Sequence, residues 1–331
     1  MRRAVWTRDG LDVVEDEPGP LEPGWVRLRV EACGICGSDL HSFHGQLPRP
    51  IGVSPGHEFA GVVVDGPSGL PDVRYAVAPH VWCGECDFCR TGRHHLCNRG
   101  GLGLGMGLHG GLAELVDAPA RNLAPIPDGV DSVTASLTEP LAVSLRGIGL
   151  ARVAPDDRVL VLGAGTIGLL AALVARDRAA EVAITARHPH QRAVAERLGV
   201  TVVDEADAIS WGKEHRPQVV VESVGGTADT VSDAIRVIAR GGRIVLLGAF
   251  AEPKLVDLQR LLVKEVALLG SFCYGQGERE PEFVTAARLT GRWNDELGAL
   301  TTHQLPLERV ADAFAVASDK STGAVKVTLT P

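Results

Sequence analysis

Four cysteines in the first third of the chain have the spacing of a metal site. Cys83, Cys86, Cys89 and Cys97 are arranged as C-x2-C-x2-C-x7-C. Spacers of two residues let neighbouring thiolates converge on one ion, and the longer loop returns the fourth ligand. Four thiolates with no open position are typical of a closed, tetrahedral structural zinc site. An iron–sulfur cluster uses the same ligands, whereas a reducing cytosol disfavours disulfides.

A second set of metal-binding side chains is spread over three segments. Cys36 precedes a serine and a histidine, His57 and Glu58 are adjacent, and Glu139 follows much later. A catalytic zinc needs about three protein ligands and one open position for water or substrate. Each of these residues alone is more often a core or surface residue than a ligand. The hypothesis of a catalytic zinc site is stronger for these residues together, because the same chain also has a nucleotide-binding pattern.

That pattern is a glycine-rich turn between a strand and a helix. The segment Gly163-Ala164-Gly165-Thr166-Ile167-Gly168 follows an apolar strand and opens an Ala/Leu/Val-rich helix. The first glycine makes a tight turn, the second lets the backbone approach a pyrophosphate, and the third permits close helix packing. The phosphates then lie at the helix N-terminus, where free N–H groups favour anions. This context predicts a dinucleotide site.

The end of the next strand indicates which dinucleotide binds. An NAD enzyme has an acidic residue there, which holds the ribose hydroxyls. Here Ala186 stands in that place, followed by Arg187 and His188, with Arg192 one helical turn on. A small residue beside a guanidinium suits a 2′-phosphate. The sequence therefore predicts NADP(H) over NAD(H), against the alternative that Arg187 is only a solvated loop residue.

The glycine turn belongs to a run of alternating strands and helices. Continuous apolar strand candidates lie at 158–162, 181–185, 200–203, 218–221, 243–247 and 265–269, with helices predicted at 166–178 and 189–198. Apolar strands separated by helices are typical of a parallel sheet that is covered on both faces. Six of them predict a complete doubly wound α/β domain.

The flanking regions predict a β-rich domain around that core. Residues 25–30 and 59–64 have strand signals, turn residues are dense, and helical periodicity is weak. The tail has helical stretches at 281–289 and 307–317 and an alternating strand at 324–329. We expect a catalytic domain over 1–140, a dinucleotide-binding domain over 141–272, and a return to the first domain over 273–331.

The composition of the chain indicates its cellular location and the classes of partner that it lacks. The chain has 331 residues, 45% of them hydrophobic and 22% charged, and a net charge of −8 with scattered basic residues. It lacks the concentrated basic footprint of a nucleic-acid binder, an apolar run long enough to cross a bilayer, and the apolar core of a signal peptide. These features predict a soluble cytoplasmic protein without nucleic-acid or membrane partners.

The motifs together resemble the zinc-containing medium-chain dehydrogenases, the alcohol and polyol dehydrogenase superfamily. The resemblance covers nearly the whole chain and rests on Cys-Gly-Ile-Cys-Gly-Ser-Asp-x-His at 33–41, Gly-His-Glu at 56–58, the four-cysteine lobe, Gly-Gly-Leu-Ala-Glu at 110–114, Glu-Pro-Leu-Ala at 139–142 and the glycine turn. The Glu-Pro-Leu-Ala segment is similar to the polyol, glucose and threonine dehydrogenase branch. The resemblance implies a GroES-like β catalytic domain, a Rossmann domain and two zinc ions per chain.

The resemblance also implies roles for individual residues. Cys36 and His57 would bind the catalytic zinc, and Glu58 and Glu139 would share the remaining positions with water or substrate. Cys33 lies in the same loop, but the family ligand stands where Cys36 is. Ser38 would contact the substrate oxygen, and the proton would pass through the cofactor ribose to His41. Asp39 would orient this loop.

The implied activity is hydride transfer between a primary or secondary alcohol and NADP(H), with carbonyl reduction in reverse. Its substrates would be small alcohols, polyols or carbonyl compounds, and the family suggests a homodimer or homotetramer. One alternative is an NADPH-dependent reductase of the same superfamily acting on an imine or an activated alkene. The other is a non-catalytic protein on this fold. Complete ligand and relay sets favour the dehydrogenase over both.

Overall fold

The computed structural model describes residues 1–99 and 103–331, and its contacts divide the chain into two units. The first unit comprises Met1–Glu139 and Glu278–Pro331, and the second comprises Pro140–Gly277. In this part of the chain, none of the helices combines the length and the apolar character needed to cross a membrane.

The first stretch of the first unit is rich in short strands. In chain order its elements are β1 (Arg2–Trp6), β2 (Leu11–Glu15), β3 (Trp25–Gly34), α1 (Gly37–Phe43), β4 (Glu58–Asp65), β5 (Arg74–Val77), α2 (Asp87–Arg90), β6 (Leu115–Pro119), β7 (Leu123–Pro125) and α3 (Ser132–Ser136). Helix α4 (Thr138–Leu150) follows and contains the boundary between the units.

The second unit alternates strands and helices. It contains β8 (Arg158–Leu162), α5 (Thr166–Arg176), β9 (Glu181–Thr185), α6 (Pro189–Arg197), β10 (Thr201–Val203), α7 (Ala208–His215), β11 (Val219–Glu222), α8 (Thr230–Val237), β12 (Arg243–Leu246), α9 (Leu258–Lys264) and β13 (Ala267–Gly270). Its six strands form one parallel sheet in the order β10-β9-β8-β11-β12-β13. This is the doubly wound order of dinucleotide-binding folds, so the predicted Rossmann fold is confirmed.

The apolar composition of the central strands explains this arrangement. Successive residues of β8, Val159, Leu160 and Val161, point to opposite faces of the sheet, and all three are buried. Both faces are therefore covered, as the continuous apolar run predicts. The edge strand β13 is only partly buried.

The tail adds two helices, a strand, a helix and a final strand to the first unit. These are α10 (Glu282–Arg292), α11 (Asn294–Gly298), β14 (Thr301–Pro306), α12 (Val310–Ser318) and β15 (Lys326–Thr330). Strand β15 pairs antiparallel with β3, with Leu329 opposite Cys33. The larger sheet has the order β14-β15-β3-β4-β5-β7, with β6 also paired to β3. Strands β1 and β2 form a separate antiparallel pair.

Aromatic packing connects the tail to the β-rich stretch. Trp6 of β1 meets Phe314 of α12 edge to face, with ring centroids 5.8 Å apart, and both side chains are buried with Phe59. The predicted β-rich fold of this unit is confirmed. The predicted final strand is present, but its alternating pattern does not give it an exposed face, because Lys326, Val327, Thr328 and Leu329 are all buried.

Candidate active site and metal centres

The four cysteine sulfurs form a compact cluster. The Sγ atoms of Cys86 and Cys89, and of Cys97 and Cys83, are 3.5 Å apart, and those of Cys83 and Cys89, and of Cys86 and Cys97, are 3.9 Å apart. Sulfurs bound to one tetrahedral zinc at about 2.3 Å lie about 3.8 Å apart. The cluster therefore has the dimensions of a zinc tetrathiolate.

Local backbone structure arranges this lobe. Cys86 precedes helix α2 as its N-cap residue and Cys89 lies within that helix. The backbone N–H groups of Glu85 and Cys86 both donate to Cys83 Sγ at 3.4 Å. Trp82 stacks on His94 with ring centroids 4.6 Å apart. The helix, the two N–H donors and the stacked rings thus hold the cysteine-bearing loop in a compact shape.

The second metal-binding group forms where two antiparallel strands meet. Gly34 at the end of β3 pairs with Glu58 at the start of β4. Cys36 and His57 lie just beyond these two strand ends, so the pairing brings them to one place. The Cys36 sulfur, a ring nitrogen of His57 and a carboxylate oxygen of Glu58 all lie within 4.8 Å of one another. Cys33 is buried nearby but lies outside this group.

Asp39 contacts both parts of this group. Its Oδ2 accepts a hydrogen bond from the Cys36 backbone N–H at 3.0 Å, and its Oδ1 lies 3.7 Å from His57 Nδ1. Burial alone would lower the pKa of His57, but the charges of Asp39 and Cys36 outweigh it and hold the pKa well above its ordinary value. The group thus concentrates negative charge around one buried position, as a cation site requires.

A buried lysine from the last strand completes the surroundings of Glu58. Lys326 Nζ is in contact with Glu58 Oε2 and donates to the backbone oxygen of Ile35 at 2.9 Å. Both side chains are 2% exposed. The sequence pattern gives no signal for this pair, because an alternating strand predicts that a lysine points to solvent. Removing one partner of a buried pair costs about 3–5 kcal/mol, so Lys326 has a structural reason to be lysine.

Glu139 lies close to the group without belonging to the set of three. Its carboxylate accepts no hydrogen bond within the described residues, and it is buried at the start of α4. Burial raises its pKa to about 7; the charges of Glu58 and Asp39 also raise it, while those of His57 and Lys326 oppose the shift. Glu139 therefore offers an uncommitted carboxylate beside His57.

The two predicted relay residues lie on α1. Ser38 and His41 are three residues apart on this helix and so share a face. His41 Nδ1 is in contact with Gln46 Oε1. Because an amide oxygen only accepts, the neutral tautomer that fits this contact has its N–H at Nδ1 and its acceptor at Nε2.

The glycine turn has the geometry that a pyrophosphate needs. Gly163 has φ 98°, and its N–H donates to Thr185 Oγ1 at 2.9 Å. A Cβ on Gly168 would lie 1.9 Å from the Gly163 oxygen, which requires glycine there. A Cβ on Gly165 would have no described atom within 4 Å. The turn thus leaves open space beside the N-terminus of α5, where Thr166 and Ile167 begin the helix, and a phosphate fits this cradle.

The predicted 2′-phosphate residues already have carboxylate partners. Arg187 binds both oxygens of Glu205, with Nη2 2.7 Å from Oε1, and Arg192 contacts Asp204. His188 precedes α6 and stacks on a neighbouring histidine. The first pair is exposed, and exposed pairs contribute about 1 kcal/mol or less. Separating Arg187 from Glu205 therefore costs little free energy.

Comparison with known proteins decides the family. An alcohol dehydrogenase GroES-like domain matches residues 22–128, and a zinc-binding dehydrogenase domain matches residues 166–289. A sorbitol dehydrogenase from Halalkalibacterium halodurans is 30% identical over 100% of this chain and 99% of that protein. The chain belongs to the zinc-binding medium-chain dehydrogenases.

Two further relatives agree with this assignment. A 2-dehydro-3-deoxy-L-galactonate 5-dehydrogenase from Pseudoalteromonas atlantica is 30% identical over 92% of this chain and 91% of that protein. A solved structure from Sinorhizobium meliloti, described as a zinc-binding dehydrogenase bound to NADP, superposes with a TM-score of 0.87 at 30% identity, covering 100% and 99% of the two chains. The dehydrogenase is thus an enzyme that acts on CH–OH groups and uses zinc and a nicotinamide cofactor.

One residue of the cofactor-binding unit escapes prediction from sequence. Glu222 ends β11 of this dehydrogenase and is fully buried. Its Oε1 accepts hydrogen bonds from the N–H groups of Val224 and Gly225 at 2.9 Å and from Thr230 Oγ1 at 2.7 Å. It thereby fixes the loop after β11. The available signal is a carboxylate that ends a buried strand and is soon followed by two glycines.

Proposed function

We propose that this enzyme oxidises a polyhydroxylated alcohol with NADP⁺ at a zinc site and reduces the matching carbonyl with NADPH. The observation that carries the proposal is the compact group of half-buried Cys36 with buried His57 and Glu58, which joins three ligand types around one position. The relatives named for sorbitol and for a sugar acid support a polyol or sugar-acid substrate.

Different residues would bind the zinc, contact the substrate and accept its proton. Zinc held by Cys36, His57 and a glutamate supplies a Lewis acid for the substrate oxygen, and the nicotinamide supplies the hydride acceptor. Oxidation also removes the hydroxyl proton. Ser38 contacts that hydroxyl, and His41 holds the proton at Nε2, because its Nδ1 is committed to Gln46.

The remaining ligand position of the catalytic zinc would be filled by Glu58 and Glu139. Glu58 lies within the compact group but shares its carboxylate with Lys326, whereas Glu139 accepts no hydrogen bond in the described part of the chain. We propose that they share this position, with Asp39 orienting Cys36 and His57. The four-cysteine lobe would hold the second zinc.

The choice of NADP(H) rests on the end of β9. Ala186 leaves room where an acidic side chain would repel a phosphate, and Arg187 presents a guanidinium beside it. Arg192 adds a second cation. The NADP bound to the Sinorhizobium relative is consistent with this choice.

Replacing Arg187 by alanine is expected to lower kcat/KM with NADP⁺ by about 10- to 100-fold and to leave kcat/KM with NAD⁺ nearly unchanged. The lost interaction is a charged hydrogen bond pair worth about 1.5–3 kcal/mol. Initial rates with both cofactors measure it. Glu205→Gln is the matched variant, because it frees Arg187 and should raise NADP⁺ efficiency by up to about fivefold. An equal loss with both cofactors in Arg187→Ala would contradict the assignment.

The proposed reaction is tested by a steady-state screen. Polyols, sugar acids, amino alcohols and simple alcohols are each supplied with NADP⁺ and NAD⁺ in parallel, and the matching carbonyls with NADPH. Turnover of a polyhydroxylated alcohol supports the proposal. Turnover only of imines or activated alkenes would assign the chain to the reductases of the superfamily instead.

We also propose that two copies associate through the edge of the second unit. Strand β13 is at the edge of its sheet, and one of its sides pairs with no strand in the part of the chain that the structure describes. The apolar side chains of Leu255, Leu262 and Phe272 nearby are 92%, 71% and 62% exposed. An unpaired edge beside exposed apolar groups fits a second copy of the same strand. Light scattering on the purified enzyme should give a dimer or tetramer mass, and a monomer would refute the proposal.

A further inference from the structure

A cationic cavity lies at the end of the second unit's sheet opposite the glycine turn. It has a volume of about 510 Å³ and lies at the starts of β8, β11 and β12. The glycine turn follows the end of β8, and the strand spans about 13 Å. Its lining includes six basic side chains and, among the described residues, no carboxylate: Arg158, Lys213, Arg216, Arg236, Arg240 and Lys264.

Part of this charge has a structural use. Lys264 Nζ donates to the carbonyl oxygens of Ile235 and Ile238 at 3.0 and 2.8 Å, near the C-terminal end of α8. Arg240 donates to Val263 O at 2.7 Å, and Arg236 pairs with Asp233. Basic residues at helix C-termini commonly have this role.

The rest of the charge is uncompensated. The three helix C-termini at the cavity carry about half a negative charge each, so with Asp233 they leave roughly three positive charges without a partner. Lys213 and Arg216 are exposed and form no ion pair within the described residues. Capping of helices therefore does not account for the whole cluster.

Two further features indicate a ligand. The Nε of Arg158 is buried and has no hydrogen-bond partner among residues 1–99 and 103–331, and a bound acceptor would supply one. Arg216 ends α7 with φ 48° and ψ 65°, a conformation that glycine adopts more easily. Arg216 thus stands at the cavity rim in a left-handed backbone conformation that is unfavourable for arginine. The pKa of Lys264 is lowered by burial and by the charges of Arg260 and Arg240, so a nearby anion would favour its charged form.

We propose that this cavity binds a chain of linked phosphate groups, as in inorganic tripolyphosphate or the triphosphate of a nucleotide. Arginine guanidinium groups bind phosphate oxygens in pairs. Linked phosphates bring several charges into a small volume, which matches the uncompensated charge. The cavity volume falls within the range of about 300–1,000 Å³ seen for small-molecule sites. The site is separate from the cofactor phosphates, which bind at the other end of the sheet.

Calorimetric titration of the enzyme with tripolyphosphate, ATP and orthophosphate tests the proposal. NADPH is present throughout, so that the cofactor site is occupied. We expect one tripolyphosphate per chain, with orthophosphate at least about tenfold weaker because it carries less charge. ATP binding as tightly as tripolyphosphate identifies nucleotides as a source, and weaker ATP binding identifies the inorganic chain. No binding, or equal binding of orthophosphate, would overturn the proposal.

Charge reversal at the rim localises the site. Lys213→Glu with Arg216→Glu should weaken tripolyphosphate binding at least about tenfold. The matched control, Arg8→Glu with Arg309→Glu, makes the same charge change on exposed side chains of the first unit and should alter binding less than about twofold. Equal weakening by both pairs would refute a local site. Unchanged NADPH affinity in the rim variant separates this result from any failure of the proposed cofactor site.

The Arg216→Gly variant tests whether weaker tripolyphosphate binding results from loss of folding rather than from loss of the arginine. It removes the strained conformation, so the melting temperature should rise while tripolyphosphate binding falls. A higher melting temperature with unchanged binding would exclude Arg216 from the site.

Discussion

Replacing Cys36 by serine is expected to lower kcat/KM for alcohol oxidation by at least about a thousandfold. Cys36 supplies the sulfur of the group that it forms with His57 and Glu58, and a hydroxyl is a far weaker zinc ligand. A metal that polarises the substrate oxygen contributes several kcal/mol to the transition state, and about 4 kcal/mol corresponds to a thousandfold. The metal content should fall from about two to about one zinc per chain.

Cys33→Ala is the matched control for this result. Cys33 is fully buried three residues earlier and lies outside the group of ligands, so its variant should keep both zinc ions and most of the activity. Metal analysis and initial rates on the two variants separate loss of a ligand from loss of packing. Two zinc ions in Cys36→Ser, or equal losses of activity in both variants, would contradict the assigned site.

Replacing Cys89 by serine should remove the other zinc and destabilise the lobe. Cys89 Sγ lies 3.5 Å from Cys86 Sγ and 3.9 Å from Cys83 Sγ, so the change opens a tetrathiolate site. Binding of structural zinc contributes about 10 kcal/mol or more in small zinc domains. We expect the free energy of unfolding to fall by several kcal/mol and proteases to cleave between Cys83 and Cys97.

Cys89→Ser and Cys36→Ser should each keep one zinc ion, but a different one. Cys89→Ser should keep the zinc bound near His57, which metal analysis will show as about one ion per chain. Glu85→Gln, an exposed change in the same lobe, should alter the free energy of unfolding by less than about 0.5 kcal/mol. An unfolding curve for Cys89→Ser that matches the unchanged protein would refute a structural zinc in the lobe.

The fold followed from the sequence because its signals are local. Apolar runs such as the one from Val159 to Leu162 are long, continuous and bounded by turns, and each predicted strand of the parallel sheet is present within a few residues. The glycine turn lies between β8 and α5, where its function requires it.

The candidate metal-binding group could be predicted only from the types of its residues and their spacing in the sequence. Cys36, His57 and Glu58 come together because β3 and β4 pair in antiparallel register, which places Gly34 opposite Glu58. Sequence patterning predicts the two strands but not their register, which tertiary packing sets. The resemblance to a family supplied what spacing alone did not.

The missed residues share one physical cause. Lys326 and Glu222 are polar groups whose burial depends on partners far away in the chain, Glu58 for the first and the loop around Val224 and Thr230 for the second. Hydrophobic periodicity assigns such residues to the surface. The ion pair of Arg187 with Glu205 was missed for a related reason. Arg187 follows β9 and Glu205 follows β10, and helix α6 lies between these two strands in the sequence.

Zinc-dependent turnover is the most direct test of this account. The best alcohol of the substrate screen is supplied with NADP⁺ to the enzyme as purified, after chelation under conditions that spare the four-cysteine zinc, and after zinc is restored. We predict that NADPH formation falls by at least about a thousandfold on chelation and returns as the second zinc rebinds. Undiminished turnover in the protein that holds only the four-cysteine zinc would contradict a catalytic zinc at Cys36 and His57.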